Sequence, residues 1–370
     1  MIKGLYIHIP FCDQICTYCD FCKMVASKDT QRAYMKGLIK ELEYYDDLIQ
    51  HIETIYIGGG TPSILEDDLM NGFLDELDMM VDMRRIKEYT VEANPNDVNE
   101  TWLKMLKDHH VTRISMGVQT MNEDLLKFLG RTHNQETVNH AIDLLQATKL
   151  DFNLDFLYAI PGQSKEMLLT DLDYIASFNP DHVSYYSLIL EDKTILNYLI
   201  NKHKVEDFDD DLARDFGETI EKRLKHLGYH QYEFSNFAKP GCESKHNLIY
   251  WNLEEYLGIG LNASSQFNNT RMINPSRISV YLEEIKDKSL TMHRLERFNP
   301  KQEYLLVGLR KTEGIDIEAY KSRFRKDPFV LYPGLKKHLD NHLLEISDGY
   351  LRFTKEGMYL SNQVFMELFE

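Results

Sequence analysis

The chain has 370 residues, 43% of them hydrophobic, and 59 Asp and Glu against 42 Lys and Arg, for a formal net charge of −17. A length of this order builds two or three domains with a sizeable core, and 22 Tyr with 18 Phe exclude a chain too polar to fold. The acidic balance excludes a general electrostatic grip on nucleic acid, which needs clustered Lys and Arg.

The opening residues, MIKGLYIHIPFC, turn polar and Cys-bearing too early for a secretory signal. Nowhere does the sequence approach the roughly 18 consecutive apolar residues that cross a bilayer. A cytoplasmic protein without a transmembrane segment is expected, which leaves peripheral membrane contact open.

Six short segments rich in β-branched and aromatic residues follow one another at Gly4–Ile9, Ile52–Ile57, Glu88–Ala93, Thr112–Gly117, Phe152–Phe156 and His182–Ser187. Helical periodicity fills the gaps, at Tyr34–Leu48, Trp102–Lys107, Asn122–Leu129, Glu136–Ala147 and Lys165–Phe178. Strand and helix alternating in this way means parallel strands joined by crossover helices. Six such units predict an α/β fold, a partial (β/α)6 barrel of the TIM type over residues 1–195. Chemistry in such barrels sits on the loops at the C-terminal ends of the strands.

From residue 196 to 297 the rhythm fades into text rich in Tyr, Asn and His, read here as an accessory segment packed on the barrel. The acidic run Glu206–Asp211 is a solvated helix start, where carboxylates suit the dipole. Residues 298–370 predict a small C-terminal domain, with helices near Lys301–Arg310, Ile317–Phe324 and Gly334–Asn341 and a hairpin turning at Asp348–Gly349. That pattern is winged-helix-like, and the chain's charge favours a structural or lid role over DNA binding.

Four of the five cysteines, Cys12, Cys16, Cys19 and Cys22, crowd the loop after the first strand, and Cys242 stands apart. A secreted disulfide framework would spread its cysteines through a shorter chain, so metal is the better expectation. The spacing Cys12-x3-Cys16-x2-Cys19 supplies three thiolates for three irons of a cubane, leaving one iron open. A structural zinc completed by Cys22 is the alternative.

The same three cysteines, with aromatic Tyr18 before the last, resemble the signature of the radical S-adenosylmethionine (SAM) superfamily. Further motifs fall in order after successive strands: GGGTP at Gly58–Pro62, EANP at Glu92–Pro95, SMGVQT at Ser115–Thr120 and LDFLYAIPGQ at Leu154–Gln163. With EFSNFA, SKHNLIYW, LLVGLR and FTKEG beyond them, the chain resembles the HemN/HemW group, which comprises oxygen-independent coproporphyrinogen III dehydrogenases and related heme chaperones. The resemblance implies a radical SAM barrel, a 4Fe-4S cluster on Cys12, Cys16 and Cys19, and bound SAM. It sets Gly59, Gly60 and Thr61 at the methionyl amino group, Glu92 at the ribose hydroxyls, and Gln119, Arg131 and Asp155 at the remaining SAM contacts, with Arg131 suited to the carboxylate. Tyr6 would lie beside the cluster. His8, two residues on and on the same face, reads as a satisfied interior histidine.

Two functions follow from the resemblance: oxidative decarboxylation of coproporphyrinogen III propionates to vinyls, or heme binding and transfer to apoproteins. Three features favour the heme chaperone. No long extension precedes Cys12, Phe21 stands where the dehydrogenases carry a fourth cysteine, and His246–Trp251 reads HNLIYW, fitting the HNxxYW pattern of the heme-binding branch. His246 is thereby the expected heme-iron ligand. Two departures stand out. Cys22 replaces a common Asn, and the loop Gly258–Ser265 reads GIGLNASS, with Ser264 where a histidine is usual.

Overall fold

A computed structural model describes residues 1–286, 294–296 and 298–369, the backbone alone for 294–296. A twelve-stranded sheet organises the larger part of the chain. Its strands are β1 (Gly4–Ile9), β2 (Thr54–Gly59), β3 (Glu88–Ala93), β4 (Arg113–Gln119), β5 (Asp151–Tyr158), β6 (His182–Ser187), β7 (His230–Gln231), β8 (Asn236–Ala238), β9 (Tyr256–Ile259), β10 (Ser264–Phe267), β11 (Thr270–Ile273) and β12 (Arg294–Glu296). They lie in the order β12-β11-β10-β9-β1-β2-β3-β4-β5-β6-β8-β7. β1 to β6 pair in parallel with their neighbours, and β6 meets β8 antiparallel. This is the expected α/β barrel of six strand–helix units, left open at its edges.

In β1 alternate residues Leu5, Ile7 and Ile9, all fully buried, share one face, and Tyr6 and His8 share the other, which faces the barrel interior. The first helix spans Lys28–Tyr44, six residues ahead of the start read from periodicity, because Ser27 caps it by accepting from Thr30 N. The helices Glu123–Leu129 and Lys165–Phe178 appear as expected.

The described strands of the segment 196–297 extend the sheet at both edges. β9 adds a parallel strand beside β1, with Gly4 opposite Tyr256, and β7 and β8 continue beyond β6. Strands of two to four residues, edged with polar side chains, do not show the alternation by which longer strands are read.

The C-terminal residues form their own small sheet, β13 (Ile315–Asp316), β14 (Leu344–Ser347) and β15 (Tyr350–Phe353), in the order β13-β15-β14, with helices Pro300–Gly308, Ile317–Phe324 and Leu335–Asp340 around it. Asp348 and Gly349, at φ 53° and 86°, make the hairpin turn. Leu305, Tyr320, Leu335, Leu351 and Val364 centre a second core, separate from the one spanning Ile2 to Ile285. The two parts join where the Arg310 guanidinium lies between Phe234 and Trp251, 5.4 and 5.1 Å from their ring centroids. Among the described residues no helix is long and apolar enough to cross a membrane.

Candidate functional site

The loops at the C-terminal ends of β1 to β5 converge on one mouth. The cysteine loop leaves β1 and is bound at both ends. Cys12 N donates to Met24 O at 3.0 Å, and Thr17 N and Oγ1 donate to Leu129 O and Phe128 O at 3.0 and 3.1 Å. Lys23 Nζ donates to Cys19 O. All three thiols are free and partly exposed. Two carry donors aimed at sulfur: Thr61 Oγ1 lies 3.7 Å from Cys12 Sγ, and Arg131 Nη1 3.7 Å from Cys16 Sγ. Donors at that position favour thiolate, the form that binds iron. Burial opposes them at Cys12, pushing its thiol up to about 11, so metal binding there must displace a proton.

No three His, Cys, Asp or Glu side chains converge on a single ion among the described residues. A cubane asks something different of its ligands, since each of three thiolates binds a separate iron. The donor set at this mouth, three soft sulfurs on one loop beside the Arg131 guanidinium, fits such a cluster.

The GGGTP turn lies against the root of that loop. Gly60 N and Thr61 N donate to Ile9 O and Phe11 O at 2.8 and 2.7 Å, and a Cβ on Gly60 would stand 2.6 Å from Phe11 O. At Gly59, φ is +115° and a Cβ would fall 2.3 Å from the His8 ring, so only glycine fits. His8 is fully engaged, Nδ1 with Tyr6 OH at 2.9 Å and Nε2 with Cys22 O at 2.7 Å. A carbonyl can only accept, so Nε2 carries the proton and Nδ1 accepts from the tyrosine.

Glu92 ends the inward face of β3. Its carboxylate accepts from Tyr56 OH at 2.8 Å and Gly59 N at 2.9 Å, and burial pushes it up to about 7. Arg131 Nη2 donates to Asn94 Oδ1 at 2.6 Å and Gly117 O at 2.7 Å. Asp155, within β5, accepts from Asn153 Nδ2 at 2.8 Å and Ser115 Oγ at 3.2 Å, and burial raises it above the usual carboxylate range. Gln119 closes β4 at φ 69°. Tyr6, Gly59, Gly60, Thr61, Glu92, Gln119, Arg131 and Asp155 therefore share the barrel interior and mouth with the cysteine loop. Tyr56 and Asn94 went unnamed in the sequence reading. Tyr56 stands two residues before Gly58 on the same face of its strand, and Asn94 lies inside EANP, so both carried a signal.

His246 lies elsewhere. It belongs to the helix Lys245–Trp251, whose start is capped by Glu88: Ser244 Oγ, Lys245 N and His246 N donate to that carboxylate at 3.1, 2.8 and 3.1 Å. Glu88, Thr54 and Gly4 open their strands, so this helix closes the end of the barrel opposite the cysteines, roughly 15–20 Å away along a six-residue strand. His246 is 1% exposed. Its Nδ1 pairs with Thr54 Oγ1 at 2.8 Å and its Nε2 with Tyr250 OH at 2.7 Å, and burial holds it neutral, down to about 3. The structure sets His246 apart from the cysteines, and its ring packs 5.3 Å from that of Tyr56, whose hydroxyl holds Glu92.

The Gly258–Ser265 loop links β9 to β10. Glu41 fixes it, accepting from Gly260 N at 2.8 Å and from the neighbouring Asn274 Nδ2 at 2.7 Å, while Tyr34 OH accepts from Leu261 N at 2.8 Å and donates to His8 O at 2.7 Å.

An open parallel barrel with three free thiols at its mouth, a glycine turn beside them and polar groups lining its interior defines the class of fold and site to be compared. The Radical SAM superfamily model matches residues 6–175, and the HemN C-terminal domain model residues 302–360. The chain is 37% identical to the heme chaperone HemW of Lactococcus lactis, over 98% of this chain and 96% of that protein. To HemW of Bacillus subtilis it is 34% identical, over 98% of each. The solved structure of coproporphyrinogen III oxidase, HemN, from Escherichia coli superposes with a TM-score of 0.82 at 19% identity, covering 99% of this chain and 90% of that one, a likeness of fold. The chain belongs to the HemW family of radical SAM proteins.

Proposed function

We propose that this protein is a heme chaperone of the radical SAM type, which holds a 4Fe-4S cluster, SAM and heme and delivers heme to apoproteins. The observation that carries the reading is the nearly end-to-end similarity to proteins named heme chaperone HemW. A cluster and SAM, when bound, supply one-electron chemistry at the barrel mouth.

The chain's residues bind and orient. Cys12, Cys16 and Cys19 hold the irons, with Thr61 and Arg131 donating toward two of the sulfurs. Gly59, Gly60 and Thr61 receive the methionyl amino group, and Arg131 pairs with the carboxylate. Glu92, ionised, accepts from the ribose hydroxyls while Tyr56 and Gly59 N hold it in place. Gln119 and Asp155 complete the SAM contacts, and Tyr6 lies under the cluster loop through His8.

Heme ligation by His246 requires a rearrangement, because both ring nitrogens are engaged. Release of the bond to Tyr250 or to Thr54 frees one nitrogen for iron, and the helix Lys245–Trp251 must swing from the barrel. Cys242, nearby in sequence, is the competing ligand, a thiolate once it has given up its proton to the metal. The test is anaerobic reconstitution followed by heme titration and handover to an apoprotein, with coproporphyrinogen decarboxylation assayed in parallel.

A further inference from the structure

The exit of β4 is built around a strained residue. Gln119 has φ 69°, and the pairing of β4 with β5 slips there, Gly117 meeting Asp155 and Gln119 meeting Phe156. Such a bulge re-aims a side chain. A left-handed glutamine costs on the order of 1 kcal/mol and persists only where its surroundings impose it.

Three side chains impose it. His133 Nε2 donates to Val118 O at 3.0 Å on one side of Gln119. On the other, Asp171 accepts from Met121 N at 2.7 Å and from Thr120 Oγ1 at 2.9 and 3.1 Å, and Gln135 Nε2 donates to Met121 O at 2.9 Å. Asp171 and Thr120 are both 0% exposed.

Asp171 is costly where it stands. It interrupts the buried apolar stripe of the helix Lys165–Phe178, where Leu168, Leu172 and Ile175 pack. A leucine there would suit the core better, since a buried carboxylate is tolerated only with its bonds made. All its bonds go to the two residues that follow Gln119.

We propose that Asp171 is a positioning residue for SAM: by fixing Thr120 and Met121 it holds Gln119 in the left-handed conformation that directs its amide to the ligand. This rests on the reading of Gln119 as a SAM contact.

The experiment is SAM titration of the anaerobically reconstituted full chain, read by calorimetry and by the SAM-induced change in the reduced cluster's paramagnetic resonance spectrum. Asp171→Ala leaves a buried N–H and hydroxyl without acceptors and should weaken SAM about tenfold, with iron and sulfide content unchanged. Asp171→Asn keeps one acceptor for Met121 N and should restore affinity to within about threefold. Placed in a Gln119→Ala background, Asp171→Ala should cost nothing more, because a residue that acts through another is not additive with it. Undiminished affinity in Asp171→Ala overturns the proposal, as does the same tenfold loss in the Gln119→Ala background. If Asp171→Ala loses its cluster or its fold, Thr120→Val carries the test, and unchanged SAM affinity there is equally fatal. A wild-type protein that binds no SAM overturns the underlying SAM reading instead, and the proposal with it.

Discussion

The Nδ1 of His246 lies 2.8 Å from the hydroxyl of Thr54, the first residue of β2, so the histidine of the HNLIYW motif is tied to the floor of the barrel. Tyr250 takes the other nitrogen, and Trp251 carries the Arg310 guanidinium of the C-terminal domain. The motif helix thus joins the two parts of the molecule.

Heme binding through His246 therefore competes with this joint. His246→Ala should remove the imidazole-type Soret band and, by leaving Thr54 and Tyr250 unpaired, destabilise the apoprotein by about 2–4 kcal/mol in urea unfolding. Thr54→Val removes one competing bond and should tighten heme binding about threefold to tenfold. A Soret band unaltered in His246→Ala and lost in Cys242→Ala would transfer the ligand role to Cys242.

The cluster prediction separates four neighbouring cysteines. Alanine at Cys12, Cys16 or Cys19 should abolish most bound iron and acid-labile sulfide after anaerobic reconstitution, and Cys22→Ala should retain both. Equal loss from Cys22→Ala would contradict a three-cysteine site, and zinc without sulfide would remove the cluster altogether.

Glu92 links function to pH. In the proposed SAM site its carboxyl, pushed up to about 7 by burial, accepts from both ribose hydroxyls only when ionised, so SAM affinity should fall as pH drops through 7. The sign for stability is opposite. Between its ordinary value of 4.5 and about 7, Glu92 binds a proton in the folded state and not in the unfolded one, so its contribution to stability declines as pH rises across that window. Glu92→Gln should therefore raise apoprotein stability at pH 8 by about 1–3 kcal/mol relative to wild type, with little gain at pH 4.5, while weakening SAM. An equal effect at both pH values would contradict it.

Arg131 lies beside Cys16 Sγ and is bonded to Asn94 Oδ1 and Gly117 O, and it is the proposed partner of the SAM carboxylate. Arg131→Ala should cost about 1.5–3 kcal/mol of SAM affinity, the scale for charged hydrogen bonds, in calorimetry at constant cluster content. Unchanged affinity would remove it from the carboxylate site.

Much of this was legible locally. The bounds of β1, β3 and β6 follow from apolar runs bracketed by polar turns, and the cysteine triad is a spacing within one loop. Relationships made by folding were not. β9 lies beside β1 although some 250 residues separate them, and its four residues carry no strand pattern of their own. Asp171 reads as one polar residue on a helix until the turn after β4 is laid against it. His246 was read from its motif as a ligand, and its partner Thr54 is 192 residues away.

The most direct measurement is a paired assay on the anaerobically reconstituted protein: heme titration with handover to an apoprotein, beside coproporphyrinogen III decarboxylation with SAM and a reductant. The account predicts a stable heme complex that loads the apoprotein, with no vinyl product formed. Decarboxylation without stable heme binding would contradict it.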